Sequence, residues 1–292
     1  MTRKQMGYLF IIPTMLLFFT LAIYPVVKTL YLSFFRYRLQ FGEIKNFIGL
    51  ENYQRMFTSA RFYSSFKFTM GFTILTVAIE VGLGLLFAQF MNMNFRGKAT
   101  LRIVVLIPWA TPTIVSGFIW RFMVNDQYGV INQILQQAGF IDNFIPWLSQ
   151  PKTAAFVLIC ADIWKTAPYV SLLVLAGLQN IQANLLEAAA IDGAGKLKTY
   201  RYITLPALQP VLATAVLFRL IQSFKVYTII VALTNGGPAN STESLTLYTL
   251  RTYFDAGNYG YGSTLASFTF FVTIVIALLF LRVIQDKLGA NS

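Results

Sequence analysis

Two rows of polar side chains carry most of the chemical equipment in this sequence. Asp162, Lys165, Thr166 and Tyr169 stand at i, i+3, i+4 and i+7, which places all four on one face of a helix. Arg219, Gln222, Ser223 and Val226 repeat that spacing. Together the rows offer a carboxylate, an amine, a guanidinium, an amide, hydroxyls and a phenol ring. That set donates and accepts hydrogen bonds and stacks on flat faces, as binding of a polar solute requires. A simple ion pair between Asp162 and Lys165 within one helix is the competing reading of the first row. Equipment for breaking bonds is scarce. The chain has no histidine and a single cysteine, Cys160, so it can form no Ser-His-Asp triad, imidazole metal site or internal disulfide. Its 11 acidic residues are scattered, which disfavours a carboxylate metal cluster and a membrane-embedded enzyme.

The elements that must hold these rows are apolar. Of 292 residues, 56% are hydrophobic and 12% charged, against about 25% charged in a soluble domain. Both rows lie in stretches long enough to cross a bilayer core. The pattern predicts an all-α polytopic membrane protein with about six transmembrane helices, at 8–27, 68–91, 101–124, 153–175, 207–233 and 264–283. The first follows Arg3 and Lys4 and lacks a small-x-small cleavage site, so it reads as a retained helix. Pro108 and Pro112 interrupt the third span and Pro168 the fourth, breaks that packed membrane helices tolerate. The net charge of +12 is spread over loops with no basic stripe, which suits phospholipid headgroups and not nucleic acid. Positive charge favours an inside N-terminus only narrowly, because Arg36, Arg38, Lys45, Arg55, Arg61 and Lys67 crowd the first outer loop. Glu80, Lys225 and Arg121 fall within or at the ends of spans, either as helix-to-helix pairs or as parts of a polar path. No linker divides the chain, so residues 1–292 are expected to be a single transmembrane domain.

Between the fourth and fifth spans, residues 185–206 have an ordered build. Leu185 to Ala190 favour helix, Gly193 and Gly195 break it, and Leu197, Tyr200 and Ile203 recur on one side of a second helix, after which Pro206 marks the entry to the next span. The expected object is a stiff lever joined to membrane helices at both ends. Gly193-Ala194-Gly195-Lys196 is no phosphate loop: Ala190 stands where its first glycine belongs, and Leu197 follows the lysine where Ser or Thr is needed. The chain is therefore not expected to hydrolyse ATP.

This segment resembles the Glu-Ala-Ala loop of binding-protein-dependent ABC importer permeases, which reads E-A-A, three residues, G, nine residues, then I-x-L-P. Here Glu187-Ala188-Ala189, Gly193 and Ile203-Thr204-Leu205-Pro206 keep every spacing. Phe47-Ile48-Gly49-Leu50-Glu51-Asn52-Tyr53, Ile107-Pro108-Trp109, Trp164 with Pro168-Tyr169, and Leu233-Thr234-Asn235-Gly236-Gly237-Pro238 extend the similarity to the maltose-permease-like carbohydrate branch. The resemblance implies a type I importer permease fold and a cytoplasmic coupling loop. It also implies that Glu187, Ala188, Ala189, Asp192, Gly193 and Ala194 meet an ATPase subunit. It further implies an N-in orientation with both termini cytoplasmic in a bacterial inner membrane. The implied partners are a second permease subunit, two ATP-binding subunits that hold the ATP and magnesium, and an external solute-binding protein. By the same alignment, Asp162, Lys165, Thr166, Tyr169, Arg219, Gln222, Ser223 and Val226 fall where the family contacts its sugar, although Asp162, Lys165 and Arg219 replace less charged groups. An ion-coupled carrier working through Glu80 and Asp162 is the alternative.

Overall fold

The apolar runs fold as helices, with breaks at Pro112 and at Tyr227. A computed structural model describes residues 3–39 and 45–289. Helix α1 (Arg3–Phe18) passes through a π turn into α2 (Tyr24–Leu32), followed by the antiparallel hairpin β1 (Phe35–Tyr37) and β2 (Lys45–Phe47). Then come α3 (Glu51–Thr58), α4 (Ala60–Asn92), α5 (Lys98–Ala110), α6 (Thr113–Met123), α7 (Val130–Gln137) and α8 (Pro151–Gln179). The order continues with α9 (Ala183–Ile191), α10 (Lys196–Thr199), α11 (Leu205–Phe224), α12 (Thr228–Leu233), α13 (Leu245–Leu250) and α14 (Tyr259–Gly289). Among the described residues, five helical segments are long and apolar enough to cross a membrane: Phe10–Leu32, Ala60–Asn92, Pro151–Gln179, Lys196–Phe224 and Tyr259–Arg282. The bent pair α5 and α6 raises the number to as many as six. The all-α membrane class holds, with one short hairpin added.

Three expectations need correction. The third span is two helices at 96° to one another. Thr111, which precedes Pro112, is held extended at φ −71° and ψ 135°, because the proline ring disfavours the helical conformation there. Pro168, by contrast, does not interrupt the fourth span, since α8 runs unbroken from Pro151 to Gln179. The fifth span is displaced. It starts at Lys196, well before the apolar run, and ends at Phe224. Tyr227 then leaves helical geometry at φ −145°, and α12 begins afresh. Hydropathy runs straight through this break because Val226, Ile229 and Ile230 around it are as apolar as the helix before.

The chain forms two compact units. One takes residues up to 63 together with 245–272; the other takes 64–244 together with 273–289. In the first, buried Asn52 of α3 donates from Nδ2 to the carbonyls of Ser33 and Phe35, tying that helix to the chain entering the hairpin. Thr264 Oγ1 of α14 donates to the Ser33 carbonyl as well. The loop cations have partners here: Arg36 with Glu51, Lys45 over Tyr31, Arg55 over Tyr261 and Arg61 over Tyr248. In the second unit, α4, α8 and α11 bury Ala88, Met91, Val170, Val174, Leu175, Leu208 and Ala215 against one another. Gly84 brings α4 onto α8, where a Cβ would collide with Val170. Such small residues let membrane helices close in.

Candidate functional site

A carboxylate at the centre of α4 organises the polar site of the second unit. Glu80 is fully buried and takes two hydrogen bonds from Arg219 of α11, Nε to Oε2 at 2.5 Å and Nη2 to Oε1 at 2.8 Å. The same Nη2 reaches Asp162 Oδ2 on α8 at 3.2 Å. Thr166 Oγ1, one turn along α8, donates to Glu80 Oε1 at 2.5 Å. Arg219 Nη1 donates to Gln222 Oε1 at 3.1 Å. Three helices are thus joined by one guanidinium, whose rigid fork fits a carboxylate with two parallel bonds. Leaving a buried charge unpaired among apolar helices costs several kcal/mol, so the cluster is both a lock and a demand on geometry.

Lys165 does something the sequence spacing does not suggest. Its Nζ donates to the carbonyls of Thr111 at 2.6 Å and Trp109 at 3.4 Å. These carbonyls sit at the C-terminal end of α5, where the proline break removes the next helical donors. A lysine at that end satisfies them and meets the negative pole of the helix. Asp162 is turned to Arg219, and the i, i+3 pair with Lys165 is not formed as an ion pair.

A cavity of about 310 Å³ opens onto this cluster, lined by Asp162, Lys165, Thr166, Arg219, Gln222 and Val226 together with Trp109, Thr113, Lys225 and Tyr227–Ile229. The other two residues of the rows lie off its lining. Ser223 is 2% exposed and its Oγ lies 3.1 Å from Thr76 Oγ1, so it packs between α11 and α4. Tyr169 stacks on Trp109, with ring centroids 5.9 Å apart. Val226 lines the cavity from the break after α11, not from its helical face. The missed lining residues come from that break and from the one at Pro112, which a regular helical pattern does not display. Glu80 carried a signal of its own, since Ser65, Thr69, Thr73, Thr76 and Glu80 form one buried polar row along α4.

The segment 185–206 has the expected helix, turn and helix. Gly193 N–H donates to Ala190 O and Ala194 N–H to Ala189 O, with Gly193 at φ +74°. This is the Schellman ending, which needs a left-handed residue at that position. Gly195 is ordinary, at φ −66°, with open space where a Cβ would stand. The lever is joined differently at its two ends. Toward α8 the chain turns at Asn180–Gln182, so that end is jointed. On the other side α10 passes through a π turn at Tyr200–Thr204 into α11 without a break. Glu187, Ala188, Asp192 and Gly193 are exposed, Ala194 is half-buried and Ala189 is buried beneath them. Ile191 is 86% and Leu197 81% exposed, so the turn presents bare apolar side chains beside its carboxylates.

Comparison with known proteins agrees with this architecture. The chain is 40% identical to the trehalose/maltose transport system permease protein MalF of Thermococcus litoralis, over 96% of this chain and 94% of that protein. It is 36% identical to the sulfoquinovosyl glycerol transport system permease protein SmoG of Agrobacterium fabrum, over 97% of this chain and 92% of that one. In fold it is similar to a chain of a bacterial ABC transporter that imports the acidic polysaccharide alginate, with a TM-score of 0.85, 22% identity, and coverage of 97% of this chain and 96% of that chain. A second structure of the alginate transporter, in complex with an alginate pentasaccharide-bound periplasmic protein, gives a TM-score of 0.86 with 22% identity over 98% and 96% of the two chains. Residues 80–289 match the family described as the inner membrane component of binding-protein-dependent transport systems, and with the apolar spans, the Glu-Ala-Ala turn and the type I importer fold, the chain belongs to that family of ABC permeases.

Proposed function

We propose that this chain is one permease subunit of an ABC sugar importer, a single domain over residues 1–292 paired with a second permease subunit. An external solute-binding protein delivers the sugar, and two ATP-binding subunits supply the energy by hydrolysing ATP with magnesium. The chain itself breaks no bond. It sits in the inner membrane, multi-pass, with both termini in the cytoplasm. Trehalose, maltose and related saccharides are the first candidates, from the names of the relatives.

One observation supports this reading above others: a single continuous helical segment, Lys196–Phe224, links the exposed turn to the cavity. Between Lys196 and Arg219 that is about 35 Å at 1.5 Å per residue. Glu187, Ala188, Ala189, Asp192, Gly193 and Ala194 form the proposed ATPase contact, with Ile191 and Leu197 as the apolar part of the patch. Closing of the ATPase pair pulls this turn, and α11 carries the pull to Arg219 and Gln222 at the cavity wall. The cavity then changes the side it faces, because the two states bind the partners differently. Asp162, Lys165, Thr166, Arg219, Gln222 and Val226 are the proposed sugar contacts, with Tyr169 and Ser223 supporting them from behind. The ion-coupled alternative loses its carriers, since Glu80 and Asp162 are both engaged by Arg219.

The test is uptake of labelled sugar by proteoliposomes holding this chain, its partner permease and the ATPases, with the binding protein outside and ATP inside. Uptake should require every component. Ion-driven uptake by this chain alone would overturn the reading.

A further inference from the structure

Resting on that sugar-importer reading, we propose that the cavity takes an uncharged saccharide, and that Glu80 sets this preference from behind the cavity wall by cancelling the charge of Arg219. The buried charges balance. Glu80 accepts Arg219 N–H groups on both of its oxygens and Asp162 accepts one on Oδ2, so in this proposal both carboxyls serve as anions facing the guanidinium. With Lys165 the cluster holds two acidic and two basic groups and sums to zero. Lys165 is spent on the carbonyls of Trp109 and Thr111. Lys225 also lines the cavity, but it is exposed, where water and salt screen it.

An anionic sugar brought against this balanced wall would keep an uncompensated charge next to buried, low-dielectric surface. A neutral sugar meets no such charge and finds neutral hydrogen-bonding groups. Gln222 accepts from Arg219 through Oε1, which leaves its amide N–H groups to donate to a sugar hydroxyl. Arg219 keeps a further N–H at Nη1 beyond that one bond. Glu80 is not among the lining residues and does not touch the solute. It is a positioning residue: without its charge, Arg219 would present an uncompensated cation to the cavity, and the site would turn toward acidic sugars.

The experiment measures direct binding to the purified full transporter in nanodiscs, without ATP. Trehalose and maltose are each compared with the disaccharide in which one glucose is replaced by glucuronate. Wild type should bind the neutral sugars about tenfold tighter or more, a difference of about 1.4 kcal/mol. Glu80→Gln should erase or reverse that ratio, and the double variant Glu80→Gln/Arg219→Gln should restore it while weakening both affinities. If Glu80→Gln does not assemble, Asp162→Asn removes one negative charge from the same cluster and should move the ratio in the same direction. Equal weakening of both kinds of sugar in the single variants would mean a merely structural role and overturn the inference. Wild-type preference for the glucuronate sugars would overturn it too, while leaving the importer reading in place. Binding of neither kind would overturn this inference, and the importer reading would stand or fall by the uptake assay.

Discussion

Lys165 and Gly193 show how single residues answer for features far larger than themselves. The Lys165 ammonium closes the end of α5 at the proline break, so Lys165→Met strands two carbonyls inside the membrane. A buried polar group left without its partner costs about 1–3 kcal/mol, and the purified complex should melt several degrees lower. An unchanged melting temperature would show that water replaces the amine there. Gly193 holds the left-handed end of α9 at φ +74°. Gly193→Val should cost about 1 kcal/mol or more and uncouple uptake from ATP hydrolysis, whereas Gly195→Ala, with ordinary backbone and free space, should be silent in the same assay. The spacing of the two polar rows was legible in the sequence, and six of the eight residues do meet at one cavity. Their partners were not legible. Arg219 and Glu80 lie 139 residues apart, and the carbonyls held by Lys165 are freed only by a bend that hydropathy does not record.

At the scale of elements, the contact between α4 and α11 is the one that sequence spacing alone assigns to the wrong neighbour. The i, i+4 relation of Ser223 to Arg219 suggests a cavity-facing serine, yet Arg219 reaches the cavity with its long side chain while Ser223 stays against Thr76. Ser223→Trp should therefore overpack this contact and cost about 1–3 kcal/mol or more, read as reduced recovery of the assembled complex. Full assembly with blocked uptake would instead return Ser223 to the cavity. Positions of the membrane helices were largely legible because long apolar runs have few alternatives in a bilayer. Their breaks were less so. Pro112 divides its span into two helices at 96°, while α8 stays continuous through the buried Pro168.

For the whole molecule, the proposed function requires a turn at one end of a helix to move a cavity at the other. In the proposed mechanism the docking turn and the cavity are joined by the continuous run of α10 and α11, whereas the connection through α8 passes the chain turn at 180–182. The opposing charges of the first loop bear on orientation. Arg36, Lys45, Arg55 and Arg61 are engaged by a carboxylate and by aromatic rings, so they serve the folded loop and are poor witnesses to the side of the membrane it occupies. Reporter fusions at both termini should accordingly report the cytoplasm; an external signal from either would reverse the proposed topology.

The most direct test of this coupling is the ratio of sugar taken up to ATP hydrolysed in proteoliposomes of the full transporter, compared between wild type and a variant with Arg201 and Tyr202 both changed to glycine. Those two residues lie in the π turn that joins the coupling segment to α11, away from the docking turn and from the cavity. Two glycines there cost about 1 kcal/mol each in helix propensity and soften the junction. ATPase association and hydrolysis should persist while uptake per ATP falls at least about tenfold. An unchanged ratio would contradict the coupling route, because the pull would then reach the cavity by some path other than this helix.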